Sequence, residues 1–199
     1  MNGTSTAFLA IPEPTAEIQR LYDDSVERHG FVMNLSRLWA HQPALHAGLF
    51  DLIGQAVRAG GLTFRQRSVL VVACASAFGD SYCSLAWGNK LAGVAGESAA
   101  GGVLRGDDDL LDPAERALAR WARTMARNPS STEAQDVQPL RDAGHDDAQI
   151  FAITVFVALR LAFAIVNDAL GARPDAELVA AASTPVRDAI TFGRPACVS

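Results

Sequence analysis

Thr63-x-x-Gln66 opens a run, residues 69–78, in which every side chain is apolar or small. A hydroxyl and an amide at that spacing satisfy two free backbone donors reciprocally, which marks a helix start. A helix with no polar face must lie at the centre of a domain, with other elements packed on all its sides. A second apolar run, residues 150–166, follows another capped start at Asp146-x-x-Gln149. It falls about one turn short of a membrane span. It also carries Thr154 and Arg160, so it reads as a second core helix of a soluble chain.

The material needed to surround these two helices is present. Ile18, Leu21, Tyr22 and Val26 keep helical spacing, and Gly30 can end that segment. A short piece over 34–39 leads to Pro43, which suits the first turn of a helix ending at Gly60-Gly61. Gly79 breaks the central apolar helix, and a further helix over 81–91 ends at Gly93. A short helix over 97–104 precedes Asp107-Asp108-Asp109. Asp112-Pro113-Ala114-Glu115 combines an N-cap, a first-turn proline and a first-turn acid. A helix over 131–143 follows, and a weaker segment starts at Asp175. No strand–turn–helix alternation occurs. The expectation is an all-α fold of about eight helices. Its single domain spans 15–188, after a lead-in over 1–14 and before a tail over 189–199.

Composition narrows the function classes. A formal net charge of −5 provides no basic excess for nucleic acid. Three cysteines, Cys74, Cys83 and Cys197, lack metal-ligand spacing and do not make a disulfide scaffold, so a reducing cytoplasm is expected. His41 and His46 are five apart and diverge on a helix, so no metal is expected. No glycine-rich phosphate loop follows a strand, and no cofactor is expected. The three aspartates at 107–109 read as a solvated turn.

One block stands out for chemistry. The break at Gly79 places Cys83 in the first turn of the next helix, where backbone donors and the helix dipole favour thiolate. The competing reading makes Cys83 a small buried hydrophobe.

This block resembles the carboxymuconolactone decarboxylase and alkylhydroperoxidase D superfamily, in which an apolar helix precedes a Cys-x-Tyr/His-Cys-x-x-x-His motif. Tyr82-Cys83 matches the second cysteine and its aromatic neighbour. Val32-Met33-Asn34-Leu35 to Pro43, Leu62-Thr63-x-x-x-Arg67, and Leu111-Asp112-Pro113 with Gly144-His145-Asp146 are similar to other family segments, in order, over most of 20–175. The resemblance implies a compact multi-helix alkylhydroperoxidase D-like fold, a peroxidase-like or decarboxylase-like enzyme, and a homo-oligomer, trimer or hexamer.

Three motif positions depart from the pattern. Asp80 stands where the first cysteine falls, Trp87 where the histidine falls, and Ser68 where the relay glutamate falls. A disulfide-cycling peroxidase therefore lacks its partner thiol and its proton relay. The substitutions point to an apolar pocket, acidic at one edge, for a flat or hydrophobic small molecule. Cys83 and Asp80 are its catalytic candidates, and Tyr82, Trp87 and Ser68 its substrate-binding ones. Three functions follow: a thiol-dependent oxidoreductase using Cys83 alone; a non-redox lyase, isomerase or cyclisation enzyme with Asp80 as acid or base; or a catalytically silent binding protein. The expected partner is an apolar small molecule, with no nucleic acid and no membrane.

Overall fold

The computed structural model describes residues 7–197. Residues 1–6 of the expected lead-in and 198–199 of the expected tail lie outside them. Among the described residues the chain is all-α, with eleven helices and no strand. In order these are α1 (Ala16–His29), α2 (Asn34–Trp39), α3 (Pro43–Ala59), α4 (Phe64–Phe78), α5 (Ser81–Ala95), α6 (Glu97–Arg105), α7 (Pro113–Arg127), α8 (Ala134–Asp142), α9 (Asp147–Ala169), α10 (Ala176–Ala180) and α11 (Thr184–Ala189).

The apolar run forms the central helix, as its lack of a polar face requires. In α4 every residue from Ser68 to Ala75 is buried, and the helix packs against α5, α6, α7 and α9. All three sequence-level caps form: Thr63 with Gln66, Asp112 with Glu115, and Asp146 with Gln149 each make the reciprocal pair. Each such N-cap is worth roughly 1 kcal/mol.

Several boundaries differ from expectation. The helix after Gly79 passes through Gly93 to Ala95 and ends on Gly96. One exposed helical glycine costs only about 1 kcal/mol, too little to stop a packed helix. Pro129–Ser131 forms a 3-10 turn, and α8 begins only after Glu133. In the aspartate turn, Asp108 ion-pairs with Arg123 at 2.6 Å, while Asp107 accepts from the Asp109 backbone at 3.0 Å.

Helix α9 extends beyond its apolar run at both ends and is long and apolar enough to cross a membrane by length and composition. Here it is a spine of the domain, with Ile153, Phe156, Val157 and Phe163 in the core.

The segment after α11 does not trail away as a tail would. The Ser81 hydroxyl donates to the Arg194 carbonyl at 2.7 Å, and the Cys197 amide donates to the Pro174 carbonyl at 3.0 Å. Gly193, at φ +73°, approaches so closely that a Cβ there would lie 2.6 Å from the Gly79 carbonyl oxygen. This strap packs on the α4–α5 junction, where Asp80 and Ser81 are buried.

Candidate functional site

The junction is built by two caps. Gly79 takes a left-handed conformation (φ 92°) and ends α4. Asp80 then caps α5, its Oδ1 accepting from the backbone amides of Tyr82 at 2.8 Å and Cys83 at 3.1 Å. Cys83, Trp87 and Lys90 follow at helical spacing on one face of α5. That face meets α9, where Arg160 and Phe163 project toward it, and a cavity of about 690 Å³ opens between them and α1–α3.

Cys83, Tyr82, Trp87 and Arg160 all line this cavity. The Arg160 guanidinium lies 3.7 Å from Cys83 Sγ and 5.2 Å from each of the Trp87 and Phe163 ring centroids. Lys90 Nζ stands 4.4 Å from the Trp87 ring. An aromatic wall continues through Phe163, stacked on Trp39 at 5.3 Å, and through His46 against Phe50 at 4.5 Å. Tyr82 is anchored by its hydroxyl, which hydrogen-bonds Asp175 and accepts from the Leu35 amide at 3.3 Å.

The electrostatics correct the sequence reading in three places. First, the Cys83 thiol is pushed well above its usual range, by burial foremost and then by the neighbouring Asp80 carboxylate, with Arg160 opposing. The helix start by itself was expected to favour thiolate and the acid at position 80 to oppose it; Asp80 prevails, because it also occupies the very amides that would have favoured thiolate. Second, Asp80 is buried and not among the cavity-lining residues. Burial raises its pKa against its hydrogen bonds to Cys83 and Tyr82, and its Oδ2 has no hydrogen-bond partner. Third, Ser68 is fully buried and donates to the Phe64 carbonyl at 2.9 Å, a helix-internal bond that leaves it outside the cavity.

The cavity edge is therefore not made acidic by Asp80. Its inner end is cationic, with Arg160 and Lys90, while the acids that line it, Glu17, Asp23 and Asp24, sit exposed on α1. Arg160 and Lys90 were missed as site residues. A lone arginine in a core helix and a lysine three residues after Trp87 were the available signals. Cys74 is buried in α4, its thiol pushed up to about 12 by burial. No group of three or more His, Cys, Asp or Glu among the described residues is placed to hold a metal ion.

Helix order and the capped cysteine at the start of α5 thus define an alkylhydroperoxidase AhpD-like fold, and solved structures bear this out. The chain is similar to an AhpD core, an uncharacterized peroxidase-related protein from Ralstonia eutropha JMP134, with TM-score 0.76 and 23% identity over 88% of this chain and 96% of that one. A peroxidase-related protein from Silicibacter sp. TM1040 gives TM-score 0.74 and 19% identity, covering 89% and 96% of the two chains. The apo debrominase Bmp8 gives 0.73 and 15% identity, covering 96% and 100%. At these identities the likeness shows the fold. Neither a protein-family model nor a curated protein sequence matches the chain.

Proposed function

We propose that this chain is a thiol-dependent oxidoreductase acting on a small organic molecule through Cys83 alone. The observation that carries the reading is that Cys83 opens into the cavity with its sulfur 3.7 Å from the Arg160 guanidinium. Asp80 lies behind the thiol as a proton acceptor. Reduction of a hydroperoxide balances with these groups. The sulfur takes the distal oxygen as the O–O bond breaks, Asp80 takes the thiol proton, and the departing alkoxide takes a proton from solvent in the open cavity. An external thiol then forms a mixed disulfide, releasing water, and a second external thiol restores Cys83. Because the resting thiol is protonated, the step needs Asp80 as base rather than a standing thiolate. A flat substrate fits the Trp87 wall; the same fold in Bmp8 is known as a cysteine-to-alanine variant in complex with 2,3,4-tribromopyrrole.

Intact-mass tracking of Cys83 under hydrogen peroxide and an organic hydroperoxide tests this, with Cys83→Ser as control. Oxygen addition at neutral pH, lost in Cys83→Ser and strongly slowed in Asp80→Asn, is expected. A thiol that reacts only at alkaline pH, with Asp80→Asn unchanged, ends the redox reading.

The raised thiol favours one other reading, a non-redox lyase, isomerase or cyclisation enzyme in which Asp80 exchanges a proton with substrate through Cys83. A serine hydroxyl relays a proton too. In that case Cys83→Ser keeps turnover, while Asp80→Asn abolishes it.

A further inference from the structure

Arg160 is 4% exposed, and no carboxylate among the described residues stands within ion-pair distance of it. The ion pairs among the described residues are Arg65–Glu115, Arg123–Asp108 and Arg141–Asp147. Its Nε has no hydrogen-bond partner. A buried cation is ordinarily paired, because removing it from water costs several kcal/mol. Here the guanidinium instead lies 5.2 Å from each of two aromatic ring centroids and lines the cavity. Lys90 Nζ stands 4.4 Å from the Trp87 ring centroid, likewise outside any ion pair among the described residues. Asp80 is the acid nearest in effect, but it lies behind Cys83 and spends Oδ1 on the α5 cap. Among the described residues neither of these two cavity-lining cations is in an ion pair, and the acids of the same lining, Glu17, Asp23 and Asp24, are exposed on α1.

We infer that the substrate of this site is an organic anion, a flat ring bearing a carboxylate, held by the Arg160 guanidinium and Lys90 with its ring against Trp87. A guanidinium fork matches the two oxygens of a carboxylate. With the anion seated there, the ring lies beside Cys83 Sγ. The inference deepens the Cys83 reading and rests on it for the reacting atom, but the binding does not need the thiol. Burial and Arg160 together press the Lys90 pKa downward, as two cations in one cavity must.

Titration calorimetry with 2-naphthoate and its neutral analogue 2-naphthamide tests this on the full chain. The wild-type protein is expected to bind naphthoate at least about tenfold more tightly than naphthamide. Lys90→Met, at a half-buried position, is expected to weaken naphthoate about tenfold and leave naphthamide unchanged. Arg160→Lys, which keeps the charge and loses the fork, is expected to narrow the preference. Cys83→Ser is expected to bind naphthoate like the wild type. Equal affinity for the two probes, no binding of either, or a Lys90→Met variant that still prefers naphthoate as before overturns the inference. Naphthoate binding by a protein whose Cys83 takes no oxygen separates the two ideas: the anion site stands and the redox reading falls.

Discussion

If Arg160 is kept for a ligand, the empty protein should be more stable without it. Arg160→Met retains the length of the side chain and most of its packing between Trp87 and Phe163. What the change removes is a buried charge whose Nε lacks a partner. An unsatisfied buried polar group costs roughly 1–3 kcal/mol, more when charged. Against this, the two cation–π contacts are worth about 0.5–1 kcal/mol each, or up to about 2 when desolvated. An unpaired buried charge costs several kcal/mol, and the Met thioether recovers about 0.3–1.5 kcal/mol on each ring, so the balance is a gain on the order of 1–2 kcal/mol. For a chain of this size each kcal/mol moves Tm by about 2–4 °C. Urea and thermal unfolding of the ligand-free wild type and variant measure it directly. Added 2-naphthoate should then raise the wild-type Tm and leave that of the variant unmoved. A variant destabilised by about 2 kcal/mol or more would refute the reasoning, since Arg160 would then be a satisfied structural group.

His46, among Trp39, Phe50 and Phe163, has its pKa lowered from 6.5 to about 4, mainly by burial. A depressed histidine contributes stability above its unfolded value that is lost as pH falls toward the folded one, so urea midpoints should drop between pH 6.5 and about 4. His46→Phe should flatten that slope, and an unchanged slope would place its origin elsewhere. Gly193→Ala forces a Cβ to within 2.6 Å of the Gly79 carbonyl oxygen at φ +73°. It should cost roughly 1–3 kcal/mol and make the C-terminal segment a faster target in limited proteolysis; a wild-type digestion rate would show that the strap does not pack on the junction. On α9, Phe151 at 72% and Ile165 at 50% exposure lie on a stripe with Val155, Ala158, Ala162 and Ala169. We propose this stripe as the helix face through which copies of the chain associate. Phe151→Asp with Ile165→Asp should reduce the mass seen by light scattering to that of a protomer, and a monomeric wild type would dismiss the idea.

The frame was legible because its signals are local. A capping box spans four residues, and an all-apolar run fixes a central helix before any partner is known. Thr63, Asp112 and Asp146 therefore placed three helices, and Gly79 separated α4 from α5. Gly93 misled because α5 is held by packing on α4 and α6, which outweighs one residue's propensity. The site was legible only along α5. Cys83 and Trp87 sit four apart, and their shared face is visible in the chain. Arg160 lies 77 residues from Cys83 in sequence, and only the packing of both α5 and α9 on α4 brings the two together. Asp80 and Ser68 were assigned by their place in a motif. Whether a side chain caps a helix or lines a cavity depends on which way the helix turns, and both proved to be spent on backbone groups.

The departures from the peroxidase-like motif form a consistent physical set. An aspartate at position 80 caps α5 and lifts the thiol pKa, so the site has no standing thiolate to protect from adventitious oxidants. A tryptophan at position 87 cannot shuttle protons, but its π surface attracts Arg160 and Lys90 where an imidazolium would repel them. Charge held this way is outside any ion pair among the described residues until something negative enters. A thiol that is quiet at rest and a cation pair that waits for an anion have the same consequence: the site acquires its working electrostatics only when substrate binds. A bound carboxylate would neutralise Arg160 and so remove the one influence that lowers the Cys83 pKa. The thiol is then still less able to ionise on its own, and the burden of taking its proton falls wholly on Asp80. That is why Asp80→Asn separates chemistry from folding at this site: it preserves an N-cap, removes the base, and also removes the charge that lifts the thiol pKa, so a variant slowed despite a freer thiol identifies Asp80 as the base.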